Sequence, residues 1–297
     1  AQMSRETSRG TAPVRLVCAV FGVSRQAYYA STKERPLRLV KPKPEPAYCD
    51  PRWVTIEALR TGIRMVVAEN PGWGVRKVWA TLKRMGLHAG RNRVWANMRE
   101  MGFCLAPNWE RDPDAPRGQV VTAESNRRWA TDLTTVWTKQ DGVVAVVPLI
   151  DCGDRMLLDC AVTKSQESHA VLAPVVGALI REFGSAANVP DGLELRTDHG
   201  SQYTGGDCVA LCKAWNLDHT LAPVGRPTGN AVAERVIQTL KVELIWTRDF
   251  ETIEELREAV AAWMHKYNHV RPHQALNWRT PAEERAAKLS GRLATAA

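Results

Sequence analysis

The chain has 297 residues, 44% of them hydrophobic and 24% charged, which is enough for two domains, one of them with a sizeable core. Its net charge of +8 is uneven: residues 1–128 carry 23 Lys and Arg against 11 Asp and Glu, the remainder 17 against 21. The longest apolar run, residues 143–150, is far short of the roughly 20 residues of a membrane span, and no signal peptide is evident, so a soluble cytoplasmic protein is expected.

A basic front joined to a mildly acidic body suits DNA phosphates at one end and acidic metal ligands at the other. The 7 cysteines are odd in number, several sit inside apolar runs, and none forms Cys-x-x-Cys, which points to reduced thiols rather than disulfides. Cys208, Cys212 and His219 could be imagined as zinc ligands, but their spacing reads as a buried helix face followed by a strand.

Residues 1–12 are polar. An apolar helical pattern over 14–21 ends at Gly22, and Ser24 stands at an N-cap position opening 25–29, a helix-turn-helix outline in which Arg25 is a candidate DNA contact. Residues 32–47, rich in Lys, Arg and Pro, read as a linker. A second helical block follows: 55–69, a break at Pro71 and Gly72, 74–85, a turn, and a last helix opened by Arg91-Asn92-Arg93. Arg91 and Arg93, in the first turn of that helix, are placed for a major groove or its phosphates. The Pro- and charge-rich stretch 108–125 marks a boundary. The expected domains are therefore 1–46, 47–107, a linker at 108–125, a larger core at 126–285 and a tail at 286–297.

The core reads β-β-β-α-β-α-β-α. Strands are expected over 128–136, 143–150, 156–162, 193–197 and 219–222, and helices over 168–183, 206–215 and 232–244, giving a mixed five-stranded sheet with flanking helices, an α/β class. Asp132 falls in the first strand and Asp198 just past the fourth, where Gly200 permits a tight reversal. Glu234 follows after 35 intervening residues on an amphipathic helix, and Lys241, seven residues later, returns to the same face. Three acids without Cys or His favour magnesium, with manganese as substitute, over zinc. Residues 223–228 read as a mobile loop that orders on DNA. Helices are also expected over 251–266 and 281–289.

Trp-x-x-Asp-x-Thr (129–134), Thr-Asp-x-Gly-Ser-Gln-Tyr (197–203), Gly-Asn-Ala-x-x-Glu (229–234), Thr-Leu-Lys-x-Glu-Leu (239–244) and Tyr-Asn-x-x-Arg-Pro-His-x-Ala-Leu (267–276) occur in that order. Over about residues 10–285 the chain resembles the catalytic polypeptide of bacterial insertion-sequence transposases encoded by two overlapping reading frames, whose core is similar to retroviral integrase. The resemblance implies an RNase H-like fold preceded by a small all-α helix-turn-helix region, with Asp132, Asp198 and Glu234 as a DDE triad. Asp132 would bridge two metal ions and the other acids complete one each, with Lys241 and Asn230 beside the DNA.

The activity it implies is cleavage of element ends followed by strand transfer, without a covalent enzyme-DNA intermediate. It also implies a homo-oligomer and a possible partner encoded by the upstream frame. Where the family usually has Asp before the Asn-Ala pair, this chain has Gly229, which questions a polar contact there. Nothing matches the His-His-Cys-Cys zinc module of retroviral integrases, and no zipper-like heptad run is present. Residues 267, 268 and 271–273 read as packing or capping at least as readily as DNA contacts. Competing readings are a nuclease of the same fold that does not join and a non-catalytic DNA-binding regulator; a Tyr203 recombinase lacks the Arg and His cluster that chemistry wants.

Overall fold

The computed structural model describes residues 18–20, 22, 54–104, 122–222 and 230–296, with backbone alone at 291–296. It divides into two compact units, Ala1–Pro51 and Arg52–Ala297. Of the first, a helical turn at 18–20 and Gly22 are described, so the outline over 14–29 with Arg25, and the linker at 32–47, lie outside the described residues. So do 108–121 and the loop 223–229.

The second unit begins with three helices, α1 (Ile56–Glu69), α2 (Val75–Arg84) and α3 (Arg91–Glu100). Thr55 caps α1, its hydroxyl accepting from Ala58 N–H at 3.2 Å, and Gly86 at φ +80° turns the chain out of α2, a conformation glycine adopts without a Cβ penalty. Leu59, Ile63, Val78, Leu82, Val94 and Met98 fill a common core, which is why the apolar positions recur at three- and four-residue spacing.

Next come β1 (Arg128–Thr131), β2 (Thr134–Thr138), β3 (Gly142–Asp151), β4 (Leu157–Thr163), α4 (Ser168–Phe183), β5 (Glu194–Thr197), α5 (Ser201–Thr204), α6 (Gly206–Ala214), β6 (Asp218–Leu221), α7 (Ala231–Glu243), α8 (Ile253–His269) and α9 (Pro281–Ala296). β4, β3 and β1 pair antiparallel, and β1, β5 and β6 pair parallel. β2 lies against β3 in the register that β1 uses, so β1 and β2 are one strand interrupted at Asp132 and Leu133. With that strand counted once, the sheet has the five members expected and is RNase H-like.

The reason for the interruption lies across the ladder. The shared register sets Asp132 opposite Pro148, which has no N–H to donate. The sheet is covered on both faces. Val144, Val146 and Ile150 point toward α7 and α8, while Val147 and Leu149 point toward α4 and α6. That two-sided burial explains the continuous apolar run at 143–150. Among the described residues, no helix is long and apolar enough to cross a membrane.

The helical region packs on the core rather than standing apart. Glu243, at the end of α7, accepts from Lys77 of α2 at 2.6 Å and from Arg271 at 3.1 Å to each carboxylate oxygen. Arg84 pairs with Glu283, Lys266 donates to the Glu69 carbonyl at 2.8 Å, and Trp79 meets Trp278 edge-on with centroids 5.8 Å apart. α9 continues past the boundary drawn at residue 285, because Arg285 is held by buried Asp151 and Asp154 and Lys288 donates to the Gly153 carbonyl at 2.8 Å.

The 267–273 motif resolves to packing. Tyr267, Asn268, Arg271 and His273 are all buried. Asn268 donates to the Leu157 carbonyl and accepts from its N–H, both at 2.9 Å, tying α8 to β4. Asn268→Ala is expected to cost about 2–3 kcal/mol by orphaning both backbone groups, which a urea denaturation midpoint measures.

Candidate active site

Asp132 and Asp198 follow the last residues of β1 and β5, and the parallel register that pairs Ala130 with Arg196 carries forward to set these two acids side by side. Side-chain alternation then decides which face each uses. Thr131 and Thr197 turn toward α5, α6 and β6: Thr131 Oγ1 lies 3.4 Å from the Tyr203 hydroxyl, and Thr197 Oγ1 lies 3.0 Å from His219 Nε2. The acids one residue further on turn to the opposite face, beneath α7.

The start of α7 is fixed over them by Asn230, whose Nδ2 donates to the Thr131 carbonyl at 3.0 Å. Glu234 N–H donates to the Asn230 carbonyl at 3.1 Å, so Glu234 stands one turn above the pinned residue on the same side. Lys241 follows two turns on. Asp198, Glu234 and Lys241 all act electrostatically on Asp132, although the three carboxylates do not close into one compact group of ligand atoms in this structure. Burial pushes the Asp132 carboxyl up to about 6; Asp198 and Glu234 add to the rise, while the Leu133 N–H and the Lys241 ammonium oppose it. Thus all three acids and Lys241 share one electrostatic neighbourhood.

Asn230, expected to contact DNA, is instead 5% exposed and committed through its amide N–H to β1. Arg91 is exposed on α3 in line with Trp95 and Arg99, whose guanidinium lies 5.6 Å from the Trp95 ring centre; Arg93 is half-buried on another side of the helix. A side chain at Gly200 would displace the Gln202 side chain and crowd Asp198, and the backbone there does not take up a left-handed conformation. The φ is −57°, and a Cβ would stand 3.1 Å from Asp198 Oδ1 and 2.7 Å from Gln202 Oε1. Tyr203 is 1% exposed, which removes it as a nucleophile. Its place beneath Thr131 had no signal in the sequence beyond its position in the Gly-Ser-Gln-Tyr run.

A cleft of about 780 Å³ lies on the other flank of α7, lined by Arg76, Arg155, Arg235 and Gln238 but by none of the three acids. Of the three acids, Asp132 and Asp198 are half-buried and Glu234 is exposed.

An ionised Asp132 is costly to the folded, metal-free protein. A carboxyl with its folded value raised contributes stability below its unfolded value near 3.8, and loses it as pH rises through about 6. At pH 8 the metal-free Asp132→Asn protein is therefore expected to be more stable than wild type, by about 1–2 kcal/mol after allowance for solvent screening, with the gap closing toward pH 4. Thermal melting with chelator at the two pH values measures it.

Residues 122–227 and 216–281 match two models described as integrase core domain, and residues 56–108 match one described as an HTH-like domain. Fold and matched core together define a DDE polynucleotidyl transferase. The chain is 31% identical over 233 residues to the transposase InsD for insertion element IS2A/D/F/H/I/K of Escherichia coli, covering 74% of this chain and 76% of that protein, and 31% identical over 233 residues to the InsD transposase for IS2-9 of strain K12, covering 74% of each. It belongs to the insertion-element transposase family. Among solved structures it is similar to the simian T-cell lymphotropic virus intasome (17% identity, 76% of this chain, 74% of that one, TM-score 0.46) and the catalytic core domain of BIV integrase (21%, 58% and 99%, TM-score 0.42).

Proposed function

We propose that this transposase cleaves the DNA strand at the ends of its element and joins the exposed 3′ hydroxyl to a target phosphodiester. The observation that carries the reading is the neighbourhood of Asp132, in which two further carboxylates and one ammonium act on a half-buried acid. Three acids in one electrostatic neighbourhood, with oxygen ligands alone, fit magnesium or manganese. Asp132, Asp198 and Glu234 would hold the metal. When bound, a pair of such ions supplies charge neutralisation on the attacking and leaving oxygens and an acidified water.

The chain's own residues do the rest. Asn230 sets the height of α7 over β1, and the Gly200 turn lets Asp198 keep its position, accepting the Gly200 N–H at 3.0 Å. Lys241 receives a backbone phosphate two turns from Glu234. Arg91, Trp95 and Arg99 present a basic, aromatic-faced helix to duplex DNA, and Arg93 flanks it. The basic cleft beside Arg235, on the other flank of α7 from the acids, suits a second stretch of backbone. The helical region near 47–107 thus serves as DNA anchor and residues 126–285 as catalytic body. Work on two element ends calls for at least two copies.

Incubating the protein with labelled end duplexes in magnesium tests the reading: a nick exposing a 3′ hydroxyl is expected, followed by covalent joining when pre-cut ends meet target DNA. Hydrolysis of pre-cut ends without joining would leave a nuclease, and a bound but intact duplex would leave a regulator.

A further inference from the structure

On the opposite face of the sheet from the three acids, α6 and β6 bring together chemistry of another kind. Cys208 and Cys212 are four residues apart on α6, so their sulfurs project from one side of the helix, and both are buried. His219 lies on β6, whose parallel register pairs it with Leu195 of β5 and so turns its ring toward α6. The two Sγ atoms and a ring nitrogen all lie within 4.8 Å of one another, and Cys208 Sγ is 3.9 Å from His219 Nε2.

We propose that Cys208, Cys212 and His219 form a second metal site, built for a thiophilic tetrahedral cation of the zinc class. A tetrahedral zinc with ordinary Zn–S and Zn–N bonds sets a sulfur and a nitrogen about 3.6 Å apart, so the observed separation closes with a small side-chain adjustment. Thiolate ligands select against magnesium, and the all-oxygen set on the other face selects for it, so the two sites sort their metals by ligand softness. Buried cysteines usually serve as small apolar side chains. Here both sulfurs, although packed in the apolar cluster, also lie within 4.8 Å of an imidazole nitrogen.

Three protein ligands leave one position of a tetrahedron, and Thr197 Oγ1 is hydrogen-bonded to the same His219 Nε2 at 3.0 Å. Thr197 immediately precedes Asp198. A cation held here would tie α6 and β6 to the strand end that presents Asp198, a positioning role for the strand rather than a part in the reaction.

Cobalt titration of the full chain, purified with reductant and stripped of metal, tests this without reference to strand cleavage. One equivalent of cobalt should produce a thiolate-to-metal charge-transfer band with intense tetrahedral ligand-field bands, displaced by zinc. The bands should persist in Asp132→Asn, since oxygen ligands give no thiolate band, and should vanish in the Cys208→Ser, Cys212→Ser double variant. His219→Ala should bind roughly tenfold or more weakly. Absence of the thiolate band in folded wild-type protein, or its survival in the double variant, would leave a metal-free packed cluster. Should the double variant not fold, cadmium-113 NMR of the wild type decides: a shift in the range of two sulfur ligands supports the site, and an all-oxygen shift overturns it.

Discussion

Glu234→Gln is expected to lower magnesium-dependent cleavage and joining by roughly 10²–10³-fold or more while leaving affinity for end duplexes unchanged. The substitution keeps the size of the side chain and its place on α7, one turn above the Asn230 pin, and removes only the charge. Glu234 is exposed, so the variant folds without a cavity. Asp198→Asn should behave alike, since its carboxylate lies in the neighbourhood that raises Asp132. A gel assay with labelled pre-cut ends separates the effects. Equal duplex binding with joining lost is the predicted pattern, and wild-type joining by either variant removes that residue from the chemistry.

Glu243→Ala is expected to cost about 3–5 kcal/mol. Burial alone would push the Glu243 carboxyl up, yet Arg271 and Lys77 hold it below the usual carboxylate range, so it is ionised between two cations. Removing it strands Arg271, 9% exposed, and Lys77, whose ammonium burial and Arg271 already disfavour. For a chain of this size the loss corresponds to a fall in melting temperature on the order of 10 °C. Because Lys77 belongs to α2 and Glu243 to α7, the damage falls where the helical region meets the core. Limited proteolysis should then release that region before the core unfolds, whereas an unchanged melt would show the pairing to be superficial.

Much of this architecture was legible in the chain. α1, α4 and α7 follow from apolar spacing, and the sheet from short apolar runs joined by short turns. The acids were legible because their neighbours are distinctive, not because an acid at a strand end is unusual. What escaped depends on partners remote in sequence. The gap that frees Asp132 from the ladder comes from Pro148 across β3, and the burial of Asn230 comes from the Thr131 carbonyl 99 residues earlier. Arg285 looked like the end of the core until Asp151 and Asp154 were seen to hold it. The convergence of Cys208, Cys212 and His219 likewise requires the β5 and β6 pairing, which spacing alone does not reveal.

The central claim is that three acids from β1, β5 and α7 act as one ligand set for a hard divalent cation. Anomalous diffraction from manganese-soaked crystals examines it most directly. Manganese density held by the carboxylates of Asp132, Asp198 and Glu234 is the predicted result; manganese elsewhere, or a Glu234 carboxylate turned away from occupied density, contradicts it.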